Sequence, residues 1–171
     1  HRELGEGMNG TKLIATFIGA GLLRPAPGTW GSLAALPVAW ALMTLLGPLA
    51  LIPAAAAVFA LGWWATAEET RGKEDHDPAE IVIDEVAGQW IALFPVALGV
   101  AHTGADLRDL WPGWIAAFVL FRLFDIWKPW LVGAADRRGD ALGVMLDDVW
   151  AGVFAAVGVA VLAALAHGVL M

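Results

Sequence analysis

Long apolar runs separated by short polar stretches dominate this sequence. A helix needs roughly 17–25 predominantly apolar residues to cross a bilayer, and five runs meet or approach that length. They cover residues 30–46, 49–67, 81–100, 114–127 and 149–171. The apolar residues are continuous rather than alternating, so the pattern predicts helices and argues against a transmembrane β-barrel. We therefore expect an all-α, polytopic membrane helical bundle with about five membrane helices in a single domain.

A shorter apolar stretch, residues 12–23, precedes the first run. It is too short to span a bilayer, so it predicts a short N-terminal helix that is interfacial or re-entrant. The runs at 30–46 and 114–127 lie at or below the spanning limit. They are therefore expected to be tilted or partly buried.

The composition supports a membrane protein. Of the 171 residues, 59% are hydrophobic and 16% are charged, whereas soluble domains average about 45–50% and about 25%. Several of the ten tryptophans lie at the ends of apolar runs, as an interfacial aromatic belt would require. The net charge of −7 argues against a nucleic-acid partner, and the absence of cysteine excludes a thiol nucleophile and a disulfide scaffold.

The charged residues gather on one side of the predicted bundle. Five spans place residues 1–29, 68–80 and 128–148 on that side, and nine of the ten lysines and arginines lie on it or close to it. Basic residues are retained in the cytoplasm, so this side is expected to be cytoplasmic. Fifteen of the seventeen acids are there too. Acids contribute little to orientation, so their clustering indicates another cause.

Two acidic doublets, Asp84-Glu85 and Asp147-Asp148, stand at the predicted cytoplasmic starts of two membrane helices. A carboxylate there can cap the helix and interact with its dipole. Adjacent helical residues point about 100° apart, so capping explains only one acid of each doublet. Two doublets on one face could instead share a divalent cation such as Mg²⁺, which prefers carboxylate oxygens, water and phosphate. The acids Asp77 and Glu80 lie just before the first doublet.

A polar stripe, Arg122, Asp125 and Lys128, recurs at three-residue spacing in the fourth run. Charges within a membrane helix are costly and tend to be functional, and two cations beside a carboxylate suit a phosphate next to a metal. The structural alternative is a snorkelling arginine with a neutralising aspartate.

The residues before the first run also have two interpretations. Gly28 and Thr29 could present N–H groups to an anion, or they could simply belong to a proline-stiffened helix entry.

The charged side also contains a histidine and an arginine cluster. His76 could act as an acid or base, but a solvated side chain in the acidic loop is favoured. The cluster containing Arg137 is interpreted as membrane-surface charge, with Arg137 able to reach a lipid headgroup.

Four blocks of sequence, in order, resemble the phosphatidylglycerophosphatase A family. They are 27–32 (PGTWGS), 80–89 (EIVIDEVAGQ), 121–130 (FRLFDIWKPW) and 143–152 (GVMLDDVWAG). The resemblance implies a bacterial, all-helical, Mg²⁺-dependent enzyme of the inner membrane, with its active site on the cytoplasmic face. The enzyme would contact membrane lipids and would take one of them, phosphatidylglycerophosphate, as its substrate. The products would be phosphatidylglycerol and phosphate. Oligomeric state is left open.

On this hypothesis each group of residues has a role. The metal ligands for one or two Mg²⁺ would be Asp84, Glu85, Asp147 and Asp148, with Asp77 or Glu80 assisting. The substrate-binding residues would be Arg24, Gly28, Thr29, Arg122, Lys128 and Arg137. The catalytic residues would be Asp84, Asp125 and Asp148, where Asp125 orients the attacking water or binds metal. A phospho-aspartate intermediate is the internal alternative.

The sequence is also compatible with two hypotheses from other functional classes. Intramembrane carboxylates can mark the path of a small transporter or cation channel, although the middles of these runs are almost wholly apolar. Abundant small residues, which allow close helix packing, would also suit a non-catalytic assembly protein.

Overall fold

The computed structural model describes residues 10–17, 27–72 and 82–170, and these ranges are helical with no β-strand. The sites predicted at Arg24, His76, Asp77 and Glu80 lie outside the described residues. Within these ranges the α-helices are α1 (Gly10–Ala15), α2 (Pro27–Leu46), α3 (Leu51–Glu69), α4 (Ile83–Ala92), α5 (Phe94–Thr103), α6 (Trp111–Trp127), α7 (Leu131–Asp136) and α8 (Ala141–Leu170). Short 3₁₀ turns precede α3 and α6 at Pro48–Ala50 and Leu107–Leu110.

The prediction of an all-α membrane bundle is confirmed. In the described part of the chain, four helical stretches are long and apolar enough to cross a membrane, and the pair α4–α5 would make a fifth span. Most of the surface of the four long helices is not covered by other helices. Large side chains such as Leu45, Ile126 and Trp127 are therefore left exposed, which is favourable only if lipid covers them.

Helices α2 and α6 begin three residues before the predicted runs, and three larger differences concern the other helices. The run at 81–100 is broken, because α4 and α5 meet at Leu93 with a bend of 40°. Pro95, in the first turn of α5, has no N–H to continue the hydrogen-bond ladder from α4. The last helix begins at Ala141 rather than at residue 149, because its charged first turns are buried against other helices. The N-terminal helix begins at Gly10 and ends at Ala15, with 18–23 outside the described residues.

Helix α4 is the centre of the bundle. It packs against α8 most extensively and also against α2, α3 and α6. Eight of its ten residues are buried, whereas the long helices around it keep much of their surface exposed. A short helix enclosed in this way can hold polar side chains away from lipid, and the acidic residues of α4 are among those it encloses.

Candidate functional site

Two glycines bring α4 and α8 into backbone contact. A Cβ atom placed on Gly88 would lie 2.4 Å from the backbone oxygen of Asp148, and one placed on Gly152 would lie 2.4 Å from the backbone oxygen of Gly88. No residue with a side chain fits such distances. Asp84 lies four residues before Gly88, and Asp148 lies four residues before Gly152. The crossing therefore places these two aspartates side by side, one turn from the point of contact.

The first carboxylate triad consists of Asp84, Glu85 and Asp148, whose oxygens lie within 4.8 Å of one another. The two aspartates are buried and Glu85 is half-buried. One buried oxygen of each residue, namely Asp84 Oδ1, Glu85 Oε2 and Asp148 Oδ2, has no hydrogen-bond partner among the described residues. Buried polar atoms are almost always paired, so three such oxygens at one point indicate a missing ligand.

The second carboxylate triad consists of Asp125, Asp147 and Asp148, again with oxygens within 4.8 Å of one another. Asp148 is thus common to both triads. Arg122 donates to Asp125 through Nη1. Lys128 Nζ lies 2.9 Å from Asp147 Oδ2 and 3.9 Å from Asp125 Oδ1. The polar stripe of α6 therefore meets the acids of α8, as the proposed site requires.

The start of α2 closes the first triad from another side. A Cβ atom on Gly28 would lie 2.9 Å from Glu85 Oε1 and 3.3 Å from Arg122 Nη1. The first membrane run was predicted to begin at residue 30, but α2 begins at Pro27, so Gly28 and Thr29 lie within its first turn. Their position is still at the end of a helix where backbone N–H groups lack intrahelical partners.

Lys128 follows the last residue of α6 in a left-handed conformation, with φ of 57°. Burial alone would lower the pKa of its ammonium group, but the hydrogen bond and charge of Asp147, followed by the charges of Asp125 and Asp136, raise that pKa above its ordinary value. The Lys128 side chain therefore stays protonated at any physiological pH. It is a permanent cation at the edge of the second triad.

The acidic site, defined as the five residues of the two triads, carries more negative charge than its described neighbours balance. Within the described part of the chain, its five carboxylates face two cations, Arg122 and Lys128. Four of the five acids are buried, and the fifth is half-buried. Uncompensated charge is expensive where water is excluded, so the geometry favours an additional bound cation.

The structure separates the predicted site residues into three groups. It brings together Gly28, Asp84, Glu85, Arg122, Asp125, Lys128, Asp147 and Asp148. Thr29 lies next to this group on α2 without a hydrogen bond to it. Arg137 is exposed after α7, and its Nη1 would lie 3.2 Å from a Cβ placed on Gly133. None of the described ion pairs includes Arg137, so the structure does not bring its guanidinium to the triads.

Two buried polar side chains beneath the acidic site were given no role in the sequence analysis. Gln89 lies four residues after Glu85 on α4, and Ser32 lies four residues after Gly28 on α2. Because Glu85 adjoins Gly28 and the helices run in the same direction, Ser32 and Gln89 lie one turn deeper on facing surfaces. Both are fully buried, and their side-chain polar atoms lack partners among the described residues. The sequence did contain a signal for Gln89, because a glutamine within an apolar run is a polar side chain that must be placed inside the bundle.

With this geometry in place, comparisons with known proteins identify the family. The family model described as Phosphatidylglycerophosphatase A matches residues 13–163, nearly the whole chain. The chain belongs to the phosphatidylglycerophosphatase A family. The resemblance inferred from four sequence blocks is thereby confirmed.

Three relatives of this phosphatidylglycerophosphatase A family member illustrate the match. A phosphatidylglycerophosphatase A of Haemophilus influenzae is 37% identical over 152 residues, covering 88% of this chain and 86% of the relative. That of Escherichia coli is 37% identical over 147 residues, covering 84% and 78%. A putative phosphatidylinositol-3-phosphatase of Bacteroides thetaiotaomicron is 40% identical over 154 residues, covering 87% and 91%. No solved structure gives a significant match.

Proposed function

We propose that this chain removes the terminal phosphate of phosphatidylglycerophosphate in a Mg²⁺-dependent reaction that supplies phosphatidylglycerol for phospholipid synthesis. The reaction would take place at the cytoplasmic face of a bacterial inner membrane. Family membership makes the chain a phosphoric monoester hydrolase, and the relatives from H. influenzae and E. coli bear the name of this activity. The cytoplasmic assignment rests on the positions of the basic residues along the chain.

One observation carries the proposal. Carboxylates from α4, α6 and α8 meet at one end of a membrane bundle, together with an arginine and a lysine. The terminal phosphate of a phospholipid lies at the membrane surface, and its acyl chains lie beside the apolar helices. The acidic site is therefore at the depth where such a phosphate is presented.

The residues present suit Mg²⁺. It is a hard cation that takes oxygen ligands and keeps coordination positions for water and substrate phosphate. The first triad offers three buried or half-buried carboxylates, each with an oxygen that has no partner among the residues described. Asp84, Glu85 and Asp148 are accordingly proposed as the residues that hold the ion. When bound there, Mg²⁺ would polarise a phosphate oxygen and lower the pKa of a bound water.

The chain's own cations bind and orient the phosphate. A phosphomonoester carries up to two negative charges, which the uncompensated acids would otherwise repel. Arg122 has a buried Nε–H without a partner among the described residues, so it can donate to a phosphate oxygen while Nη1 holds Asp125. Lys128 supplies a point charge on the other side of Asp125. Both cations stabilise the negative charge that develops on the phosphoryl oxygens during transfer.

Asp125 is proposed to orient the attacking water. The water oxygen forms a bond to phosphorus, the bond between phosphorus and the glycerol oxygen breaks, and a proton passes to that leaving oxygen. The alternative is attack by a carboxylate, giving a phospho-aspartate that water then hydrolyses. Borohydride added during turnover distinguishes the two, because it reduces a phospho-aspartate to homoserine, whereas direct attack by water leaves every aspartate unchanged.

The deciding experiment is a phosphate-release assay on the purified protein in detergent or liposomes. Phosphatidylglycerophosphate is supplied with Mg²⁺ or with EDTA, and release is expected only with Mg²⁺. Asp109→Asn is the matched control, because Asp109 lies before α6, at the end of that helix remote from Asp125. Failure to release phosphate from this lipid with any divalent cation would overturn the proposal.

A second substrate is favoured by one relative. The B. thetaiotaomicron protein is named a putative phosphatidylinositol-3-phosphatase and covers as much of this chain as the other relatives do. Phosphatidylinositol 3-phosphate should therefore be assayed in parallel. A kcat/KM for it above that for phosphatidylglycerophosphate would reassign the substrate without changing the reaction class.

The structure disfavours a transport path. Among the described residues, the buried polar side chains of α2, α3, α4, α6 and α8, together with the residue that directly follows α3, are Ser32, Thr66, Thr70, Asp84, Gln89, Asp125, Asp147 and Asp148. They belong to the helix ends that surround the acidic site. An ion path would need polar groups through the opposite half of the bundle as well. Flux measurements on liposomes are expected to show none.

A further inference from the structure

The two carboxylate triads differ in what already neutralises them. In the first triad, none of the three acids is within ion-pair distance of a lysine or arginine in the part of the chain that is described. Each of the three also has an unpartnered oxygen. The first triad is thus short of positive charge and has free ligand atoms.

In the second triad, two of the three acids are already paired. Asp125 is held by Arg122, and Lys128 Nζ approaches both Asp147, at 2.9 Å, and Asp125, at 3.9 Å. The ammonium group therefore lies between the two carboxylates that a second metal ion would need. Asp147 Oδ1 and Asp148 Oδ2 have no hydrogen-bond partner among the described residues, but a divalent cation that bound them together with Asp125 would lie beside a group of like charge.

The backbone fixes Lys128 in this position. Its N–H donates to the Phe124 oxygen at 2.8 Å, and its φ of 57° is in the left-handed region. A Cβ atom on Gly133 would lie 2.7 Å from the Lys128 carbonyl oxygen, so α7 packs tightly against this turn. A non-glycine residue in the left-handed conformation costs conformational free energy. The ion pairs to Asp125, Asp136 and Asp147 offset that cost.

We infer that the Lys128 ammonium takes the place of a second divalent cation, so that the substrate-free protein binds one ion, at the first triad. The inference rests on the proposed function for the existence of that ion. Two-metal phosphatases hold the transferring group between two cations about 3.5–4 Å apart. Here Asp148 belongs to both triads, so it would have the metal ion on one side and the acids that Lys128 pairs with on the other. The two positive charges would then be a metal ion and an ammonium group, instead of two metal ions.

Metal counting tests the inference without measuring activity. The EDTA-treated, full-length protein in detergent is titrated with Mg²⁺ by calorimetry, and with Mn²⁺ by electron paramagnetic resonance of the free ion. We expect one ion per chain for the natural protein and for Lys128→Arg. We expect two for Lys128→Met, because the emptied position leaves Asp125, Asp147 and Asp148 able to bind a cation.

The matched control is Arg138→Met. It also removes a cation near this end of the bundle, but Arg138 pairs with Asp140, which belongs to neither triad. One ion per chain is expected. Circular dichroism and thermal unfolding establish that each variant is folded. If Lys128→Met does not fold, the count for the natural protein still decides, because two ions there would overturn the inference.

The outcomes separate this inference from the proposed function. Two ions in the natural protein, or one ion in folded Lys128→Met, would overturn the role of Lys128 and leave Mg²⁺-dependent hydrolysis intact. No bound ion at all would overturn both the metal dependence and the inference. One ion in the natural protein and two in Lys128→Met would support the inference whichever lipid proves to be the substrate.

Discussion

The two acidic doublets look alike in sequence but differ in their structural settings. Asp84-Glu85 occupies the first turn of α4. Asp147-Asp148 is the seventh and eighth residue of α8, two turns inside the helix. The expectation that both doublets stand at helix starts is therefore wrong for the second. Only the first can interact with the positive end of a helix dipole.

The difference extends to how each helix start is capped. No side chain of the described residues caps helix α4. Helix α8 has its own cap, because Asp140 Oδ1 accepts from the Gly143 N–H at 2.8 Å. Asp147 and Asp148 are thus not needed as caps. They are held instead by Lys128 and by the glycine contact with α4.

The comparison also changes how the doublets correspond. Aligning the sequences by their acids pairs Asp84 with Asp147. Aligning them by the glycines of the crossing pairs Asp84 with Asp148, since each lies four residues before its glycine. The second correspondence is the physical one. It teaches that the contact between α4 and α8, rather than the position of an acid in its helix, creates the shared site.

The largest effect is expected from Asp148→Asn, because Asp148 belongs to both triads. Phosphate release at saturating Mg²⁺ should fall by about 10³-fold or more, equivalent to roughly 4 kcal/mol of transition-state stabilisation. The fold should persist, since the change removes repulsion between buried carboxylates. Asp84→Asn is expected to lose activity in the same way, whereas Asp109→Asn retains it. Full activity in either site variant would refute the role assigned to that residue.

The next effect is expected from Gly88→Ala, which tests the crossing. The new methyl group would meet the Asp148 backbone oxygen at 2.4 Å, and backbone cannot move aside as a side chain can. Overpacking of this kind costs typically 1–3 kcal/mol, so both the unfolding temperature and the phosphatase rate should fall. Gly99→Ala is the control, because its nearest neighbour would be a Leu110 side-chain atom at 3.9 Å. Equal stability of the two variants would contradict the close approach.

A smaller effect is expected from Asp140→Ala, which removes the cap of α8. Loss of an N-cap costs about 1 kcal/mol, while the acidic site itself is unchanged. The hydrogen bond from Arg138, followed by that from the Gly143 N–H, lowers the pKa of Asp140 below its ordinary value. The cap's contribution is therefore complete above about pH 4 and is lost as the pH falls through the lowered pKa.

Denaturation of the natural protein and of Asp140→Ala across this pH range measures the difference. The two curves should converge at acid pH, and Asp140→Asn should preserve the cap throughout. A difference that persisted unchanged below pH 3 would show that the carboxylate charge is not what stabilises the helix start.

The smallest effect on stability is expected from Gln89→Leu. Gln89 directly follows Gly88 on α4. The corresponding position on α8, directly after Gly152, is occupied by the apolar Val153. Both side-chain atoms of Gln89 lack partners among the described residues, so an apolar replacement of similar size should be neutral or slightly stabilising. Chemical denaturation measures this change. A loss of more than about 1 kcal/mol would show that the amide is hydrogen-bonded, for example by a buried water.

Much of the fold could be predicted from the sequence. Continuous apolar runs and the Gly47-Pro48 break predict helices of about the right extent, because lipid leaves a spanning backbone few alternatives. The bend at Leu93 was missed, although Pro95 was a visible signal. The early start of α8 was not predictable from periodicity. Residues 141–148 are apolar apart from a glycine and two acids, but they follow a charged stretch, and only the structure shows that these acids are buried within a helix.

The candidate site was predicted as a set of residues but not as an arrangement. The spacing of Arg122, Asp125 and Lys128, together with the doublets, was sufficient to expect convergence at one end of the bundle. The sequence did not show that Asp148 is shared, that Lys128 faces the second triad, or that Gln89 and Ser32 lie beneath. Each of these depends on the distance and rotation between neighbouring helices.

By itself, the sequence determined that this chain is a membrane protein and that its charged residues lie at one end of the helical bundle. It also determined the family to which the chain belongs. Hydropathy and local motifs carry that information because each is read within a single helix. Only the tertiary structure decided which carboxylates meet. Two glycines let α4 and α8 approach until their backbones touch, and that distance sets which oxygens can share a cation.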